Sequence, residues 1–184
     1  MQGAKAAFLD RDGVINRDRD YVYKTEDFEF LDGVFEACRR LETLGYRIII
    51  VTNQSGIGRG YFSEADFNRL TDWMVRRFLE EGVTITGTYF CPDHPVHGVG
   101  VYKRDSGHRK PGPKMILDAA NDHGLDLQAS FIAGDKASDI LAGRAAGVGR
   151  CFFIGDAEVL PADLRDVKSY GNLLDLVRQE FKQQ

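Results

Sequence analysis

Four short clusters carry side chains with chemical potential. Asp10-Arg11-Asp12-Gly13-Val14 sets two carboxylates one residue apart, directly after an apolar run. Thr52-Asn53-Gln54-Ser55-Gly56 groups hydroxyls and amides on a turn whose glycine lets backbone N–H groups face an anion. Arg109-Lys110-Pro111 offers a bidentate guanidinium fork and a compact ammonium, both suited to phosphate oxygens. Gly134-Asp135-Lys136-Ala137-Ser138-Asp139 adds two carboxylates, and a hard cation such as Mg²⁺ wants oxygen ligands of this kind beside a substrate phosphate. Singly, these read as a solvated turn, a common Thr-Asn turn or a basic pair facing water. Together they meet the needs of phosphoryl transfer: a positioned nucleophile, charge neutralisation and protonation of a poor leaving group. Asp10 is the candidate nucleophile, because a carboxylate can carry the phosphoryl group and divide one hard displacement into two easier ones. Asp12 is the candidate acid for the departing alkoxide and then the base for the hydrolytic water.

These clusters need elements that hold them at one edge. Residues 6–9 (AAFL) form a short apolar run that stops at Asp10, as expected of a buried strand. Residues 34–44 have helical apolar spacing and end at Gly45; residues 46–52 (YRIIIVT) then read as a second buried strand. Ser63 with Asp66 forms a weak capping box for a helix over residues 64–81, and Gly82 ends it. Residues 84–90, 130–133 and 150–154 are expected as further strands. Helices are expected over residues 113–123, 137–146 and 173–181, with Pro113 in a first turn and Gly124 as a stop. Along the first long helix, Phe67, Leu70, Trp73 and Met74 follow helical spacing and read as core. His123, just before Gly124, suits the end of a helix dipole better than a catalytic role.

Alternating strands and helices indicate an α/β fold with a mainly parallel sheet and right-handed crossovers. The long irregular stretches, residues 13–33, 53–62 and 92–112, suit binding loops beyond the carboxyl ends of the strands. At 184 residues the chain is expected to be one domain. Its 43% hydrophobic and 28% charged residues are ordinary for a globular protein, and no apolar run reaches the ~20 residues that cross a bilayer. The N-terminal stretch is too brief for a signal peptide, so a cytoplasmic location is expected. With 24 Lys plus Arg against 28 Asp plus Glu, the net charge of -4 offers no general attraction to nucleic acid or anionic membranes. The cysteines Cys38, Cys91 and Cys151 are odd in number and widely spaced, which argues against a disulfide framework. Nothing identifies an oligomer interface, and a monomer is expected.

In order along the chain, FLDRDGVIN, VTNQSGIGRGYF, CPDHP, RKPGPKM and AGDKASDI resemble the haloacid dehalogenase (HAD) superfamily of phosphatases. Within it they resemble the branch that contains heptose-1,7-bisphosphate 7-phosphatases and histidinol-phosphatase domains. The resemblance covers residues 6–154 and implies a Rossmann-like three-layer sandwich. It supports the roles of Asp10 and Asp12. It also implies Mg²⁺ held by Asp10, the Asp12 carbonyl and Asp135, with Asp139 behind them. Thr52 and Lys110 would bind phosphoryl oxygens, and Lys136 would add charge or pair with a carboxylate. Asp18, Arg19, Asp20 and Tyr21, with Asn53, Gln54 and Ser55, would meet the sugar or its second phosphate, and Arg109 would recognise substrate. The gaps between motifs are too short for a cap domain of ~50 residues. The implied substrate is heptose 1,7-bisphosphate, for lipopolysaccharide core synthesis, with histidinol phosphate as runner-up. A non-enzymatic receiver-like module is the rival of another class, although such modules lack the second acid two residues on.

The branch carries a zinc loop, Cys-x-His and then Cys-x-Cys before the Arg-Lys pair, and this chain departs from it. Cys91, Asp93, Ser106 and His108 stand at those places. Cys91, His94, His97 and His108 could make a substitute tetrahedral set. The favoured reading is a loop held by ordinary hydrogen bonds.

Overall fold

The computed structural model describes residues 3–181. Its strands are β1 (Lys5–Leu9), β2 (Tyr46–Asn53), β3 (Ile85–Cys91), β4 (Phe131–Gly134), β5 (Arg150–Ile154) and β6 (Ser169–Tyr170). They form one six-stranded sheet in the order β3-β2-β1-β4-β5-β6, and every pair is parallel. The helices are α1 (Val34–Thr43), α2 (Ser55–Gly58), α3 (Glu64–Glu80), α4 (Lys114–His123), α5 (Ala137–Ala146) and α6 (Leu173–Glu180).

Side-chain alternation along the strands builds two cores, one on each face of the sheet. Ala7 and Leu9 of β1, with Ile48 and Ile50 of β2, pack against Val34, Ala37, Cys38 and Leu41 of α1, Leu70, Met74 and Phe78 of α3, and Leu176 and Val177 of α6. Ala6 and Phe8, with Ile49 and Val51, face Met115, Ile116 and Ala119 of α4 and Ala142 and Ala146 of α5. The arrangement is the expected three-layer α/β sandwich, with no cap domain between its motifs. Among the described residues no helix is long and apolar enough to cross a membrane.

Local chemistry sets most element ends. At the start of α3, the Ser63 hydroxyl accepts the Asp66 N–H at 3.1 Å while the Asp66 carboxylate accepts the Ser63 N–H at 2.8 Å, closing the expected box. Gly45 (φ 83°) and Gly124 (φ 59°) take the left-handed conformation at helix stops. Phe67, Leu70 and Met74 are buried, and Trp73 packs on the rings of Phe28 and Phe30. Two elements depart from the sequence expectation. Residues 55–58 coil into α2 inside a stretch expected to be irregular, and the two-residue β6 extends a sheet expected to have five strands. Neither is long enough to show a period in the sequence.

The strand order reverses at β1, since β2 lies on one side of it and β4 on the other. In open α/β sheets the crevice beyond the carboxyl ends of two strands at such a point is where ligands bind. Asp10 directly follows β1, and Asp135 directly follows β4.

Candidate active site

Asp10 leaves the sheet 6% exposed, and its Oδ1 is fixed from two sides. The Arg11 N–H donates to it at 2.7 Å, and Lys110 Nζ lies 3.0 Å away. Lys110 is buried, donates from Nζ to the Val51 carbonyl at 2.8 Å, and lies 2.6 Å from Asp139 Oδ1. Burial opposes the charge of Lys110, but Asp10 and Asp139 together outweigh it and raise its pKa. Asn53 holds this lysine in place: its amide accepts the Lys110 N–H at 2.9 Å and donates to the Lys110 carbonyl at 3.0 Å.

Asp12 is clamped. Arg11 Nη2 lies 2.9 Å from both of its carboxylate oxygens, Asn16 Nδ2 donates to Oδ1 at 3.0 Å, and Gln54 Nε2 donates to Oδ2 at 3.0 Å. Gln54 also donates to Thr52 Oγ1 at 2.9 Å, which leaves the Thr52 hydroxyl hydrogen for another acceptor. Arg11 is 1% exposed, reaches the Val22 carbonyl at 2.8 Å, and lies 5.9 Å from the ring centres of Phe28 and of Phe67.

The donor set tests the fit of a cation. One oxygen each from Asp10, Asp135 and Asp139 lies within 4.8 Å of the others. Asp135 Oδ1 is buried without a hydrogen-bond partner. Gly13, at φ 87°, leaves the space that a side chain would fill, since a Cβ there would lie 2.1 Å from Asp135 Oδ2. Burial pushes the pKa of Asp10 up to about 7, with Lys110 opposing and the neighbouring carboxylates of Asp139, Asp135 and Asp12 adding. Burial likewise pushes Asp135 up to about 6. Crowded oxygen donors with too little positive charge between them fit a hard divalent ion such as Mg²⁺.

Beside this cluster lies a cavity of about 460 Å³ lined by Asp12, Asp18, Asp20, Tyr21, Asn53, Gln54, Ser55, Gly56, Arg109, Lys110, Pro111, Lys136 and Ser138. Lys136 Nζ pairs with Asp18 Oδ2 at 3.1 Å across its rim, as one of the expected alternatives had it. Asp20 (φ 54°) and Tyr21 (φ 56°) hold consecutive left-handed conformations there, a local strain seen at ligand clamps. Arg109 is half-buried, and burial and then the Arg59 charge lower its pKa.

Other candidate residues take different places. Arg19 does not line the cavity, because its guanidinium pairs with Glu29 on an exposed face. Asn53 and Gln54 line the cavity, and they also hold their neighbours: the Asn53 amide bonds the Lys110 main chain and Gln54 Nε2 donates to Asp12 and Thr52. Of the zinc candidates, the His94 and His97 rings lie 4.8 Å apart, but no three of the four gather among the described residues. Cys91 is buried with Sγ 3.9 Å from Asp93 Oδ2, and His94 Nδ1 accepts N–H bonds from Val96 and His97. His108 Nε2 lies 2.8 Å from Asp118 Oδ2. These residues do not fit a tetrahedral zinc site. Arg11 and Asn16 received no role from the sequence, since an arginine between two aspartates looks like part of a solvated loop.

Comparison with known proteins fits this geometry. A HAD-hydrolase-like family model matches residues 107–153. A Burkholderia mallei protein named D-glycero-alpha-D-manno-heptose-1,7-bisphosphate 7-phosphatase is 58% identical over 84% of this chain and 82% of its own. A Vibrio cholerae protein named as the corresponding beta-anomer phosphatase is 51% identical over 78% of this chain and 77% of its own. The solved D,D-heptose 1,7-bisphosphate phosphatase from B. bronchiseptica, complexed with magnesium and phosphate, is 29% identical, covers 97% of this chain and 98% of its own, and superposes with a TM-score of 0.81. With Asp10, Asp12, Lys110 and Asp135 brought to one edge of a six-stranded parallel sheet, the chain belongs to the heptose-1,7-bisphosphate 7-phosphatase family of HAD-superfamily phosphoric monoester hydrolases.

Proposed function

We propose that this single-domain, monomeric phosphatase works in the cytoplasm with Mg²⁺. Its reaction removes the 7-phosphate of D-glycero-D-manno-heptose 1,7-bisphosphate on the route to lipopolysaccharide core precursors. One observation carries the reading: Asp10, Asp135 and Asp139 crowd within 4.8 Å beside Lys110, at the wall of a polar cavity.

In this reading Asp10 attacks phosphorus through a carboxylate oxygen and the bond from phosphorus to the sugar oxygen breaks. Asp12 gives its proton to that departing oxygen. A water then attacks the aspartyl-phosphate, Asp12 takes the water proton, and inorganic phosphate leaves with Asp10 restored. Lys110 and the free hydroxyl hydrogen of Thr52 bind phosphoryl oxygens. Asp10, the Asp12 carbonyl and Asp135 would hold Mg²⁺, with Asp139 beside them bound to Lys110. When bound, the ion offsets repulsion between carboxylates and phosphate. Asp18, Asp20, Tyr21, Ser55, Arg109 and Lys136 surround the sugar and its second phosphate.

The names of the relatives support the bisphosphate, and the open polar cavity suits it. Steady-state kinetics with both heptose bisphosphate anomers and histidinol phosphate, in Mg²⁺ and in EDTA, test the proposal. A larger specificity constant for histidinol phosphate would overturn the substrate, and turnover undiminished by EDTA would overturn the metal.

A further inference from the structure

The loop of residues 92–112 joins β3 to Arg109 and Lys110, so whatever holds it also sets the cavity wall. Its backbone is tied by His94 N–H to the Tyr102 carbonyl at 3.0 Å, Gly98 N–H to the His94 carbonyl at 3.1 Å, and Val99 N–H to the Gly58 carbonyl of α2 at 2.8 Å. Near its base stands Asp93, 2% exposed, a buried carboxylate outside the cluster around Asp10. Arg104 Nε lies 2.9 Å from Asp93 Oδ2. Through its main chain the same residue accepts from Arg109 Nη1 at 3.2 Å.

We propose that the Asp93–Arg104 ion pair replaces a structural metal in this loop and thereby positions Arg109 for substrate. The Asp93 carboxylate occupies the space beside Cys91, His94 Nδ1 accepts the Val96 and His97 N–H groups, and His108 Nε2 is taken by Asp118. A buried carboxylate that loses its cation must rotate toward water or stay unpaired at a large cost. Either outcome moves the Asp93 carbonyl on which Arg109 rests. Arg104 is a positioning residue, since its guanidinium is largely exposed and does not line the cavity.

This inference rests on the proposed role of Arg109 in binding the bisphosphate, and its test separates the two. Kinetics of Arg104→Ala and Arg104→Lys are measured with heptose 1,7-bisphosphate and with p-nitrophenyl phosphate, which has no second anion. Amide hydrogen exchange over residues 92–112 and elemental analysis of the purified wild-type chain accompany them. In Arg104→Ala, KM for the bisphosphate should rise about tenfold, the equivalent of one weakened charge-assisted contact, with kcat within about twofold. Exchange in the loop should quicken, Arg104→Lys should recover most of the KM, and p-nitrophenyl phosphate kinetics should stay within about twofold. An unmoved KM, an equal loss of kcat on both substrates, unchanged loop exchange, or one equivalent of zinc in the wild type would each overturn the proposal. A wild-type chain that ignores the bisphosphate but hydrolyses p-nitrophenyl phosphate would refute the substrate reading instead; loop exchange and zinc content would then decide the ion pair.

Discussion

Replacing Lys110 with methionine tests the site at its electrostatic centre. Its ammonium lies 2.6 Å from Asp139 Oδ1, 3.0 Å from Asp10 Oδ1 and 2.8 Å from the Val51 carbonyl, with all three side chains buried. At an effective dielectric constant of ~20, unit charges at these separations attract by roughly 5–6 kcal/mol each, and desolvation of the ions takes back much of that gain. Breaking such a buried pair leaves an uncompensated carboxylate and costs about 3–5 kcal/mol. For a chain of this size each kcal/mol moves Tm by about 2–4 °C, so Lys110→Met should melt roughly 6–20 °C below wild type. Trp73 is the single tryptophan and packs on Phe28 and Phe30, so its fluorescence reports the transition directly. Adding Asp139→Asn removes one orphaned charge and should recover part of the loss, with a coupling of about 1–3 kcal/mol in the double-mutant cycle. Activity should not return, because loss of a preorganised donor to the phosphoryl oxygens lowers kcat about 10²–10³-fold. A single variant melting within about 2 °C of wild type, or an additive double variant, would refute the reasoning.

Other perturbations probe neighbouring links. Asp10→Asn should lower kcat by at least about 10³-fold while circular dichroism and the Trp73 emission stay native, since the nucleophile is lost but Lys110 keeps Asp139 as its charge partner. Because Asp10 and Asp135 titrate near 7 and 6 when folded and near 3.8 when unfolded, the folded chain in EDTA binds the extra protons, and its stability should fall as pH rises from about 4 to 7. The rise in Tm on adding Mg²⁺ should therefore grow between pH 5 and pH 8, and Asp135→Asn should flatten that trend; a shift independent of pH would contradict the assigned ligands. Gly13→Ala puts a Cβ 2.1 Å from Asp135 Oδ2 at a φ of 87°, so calorimetry should show weakened Mg²⁺ binding and a stability loss of about 1–3 kcal/mol. The Cys38 thiol is held protonated by burial, and alkylation at pH 8 should be slow until the chain unfolds.

What the sequence determined by itself is what local rules encode. Apolar runs ending in aspartate placed Asp10 and Asp135 at strand ends, and residues 137–146 matched α5 at both ends. Ser63 with Asp66 and the stop glycines set helix boundaries because caps act within one turn. The tertiary structure alone decided which polar groups serve which. Gln54 meets Asp12 across 42 positions and Asn53 meets Lys110 across 57, so these two cavity-lining residues also hold Asp12 and Lys110 in place. Arg11 became a buried clamp because the aromatic rings of Phe28 and Phe67 close around it, whereas Arg19 found Glu29 and faced outward. Periodicity reports whether a side chain is buried, but the partner of a buried polar group is chosen among residues far apart in the chain, and only the packed fold brings them within hydrogen-bonding distance.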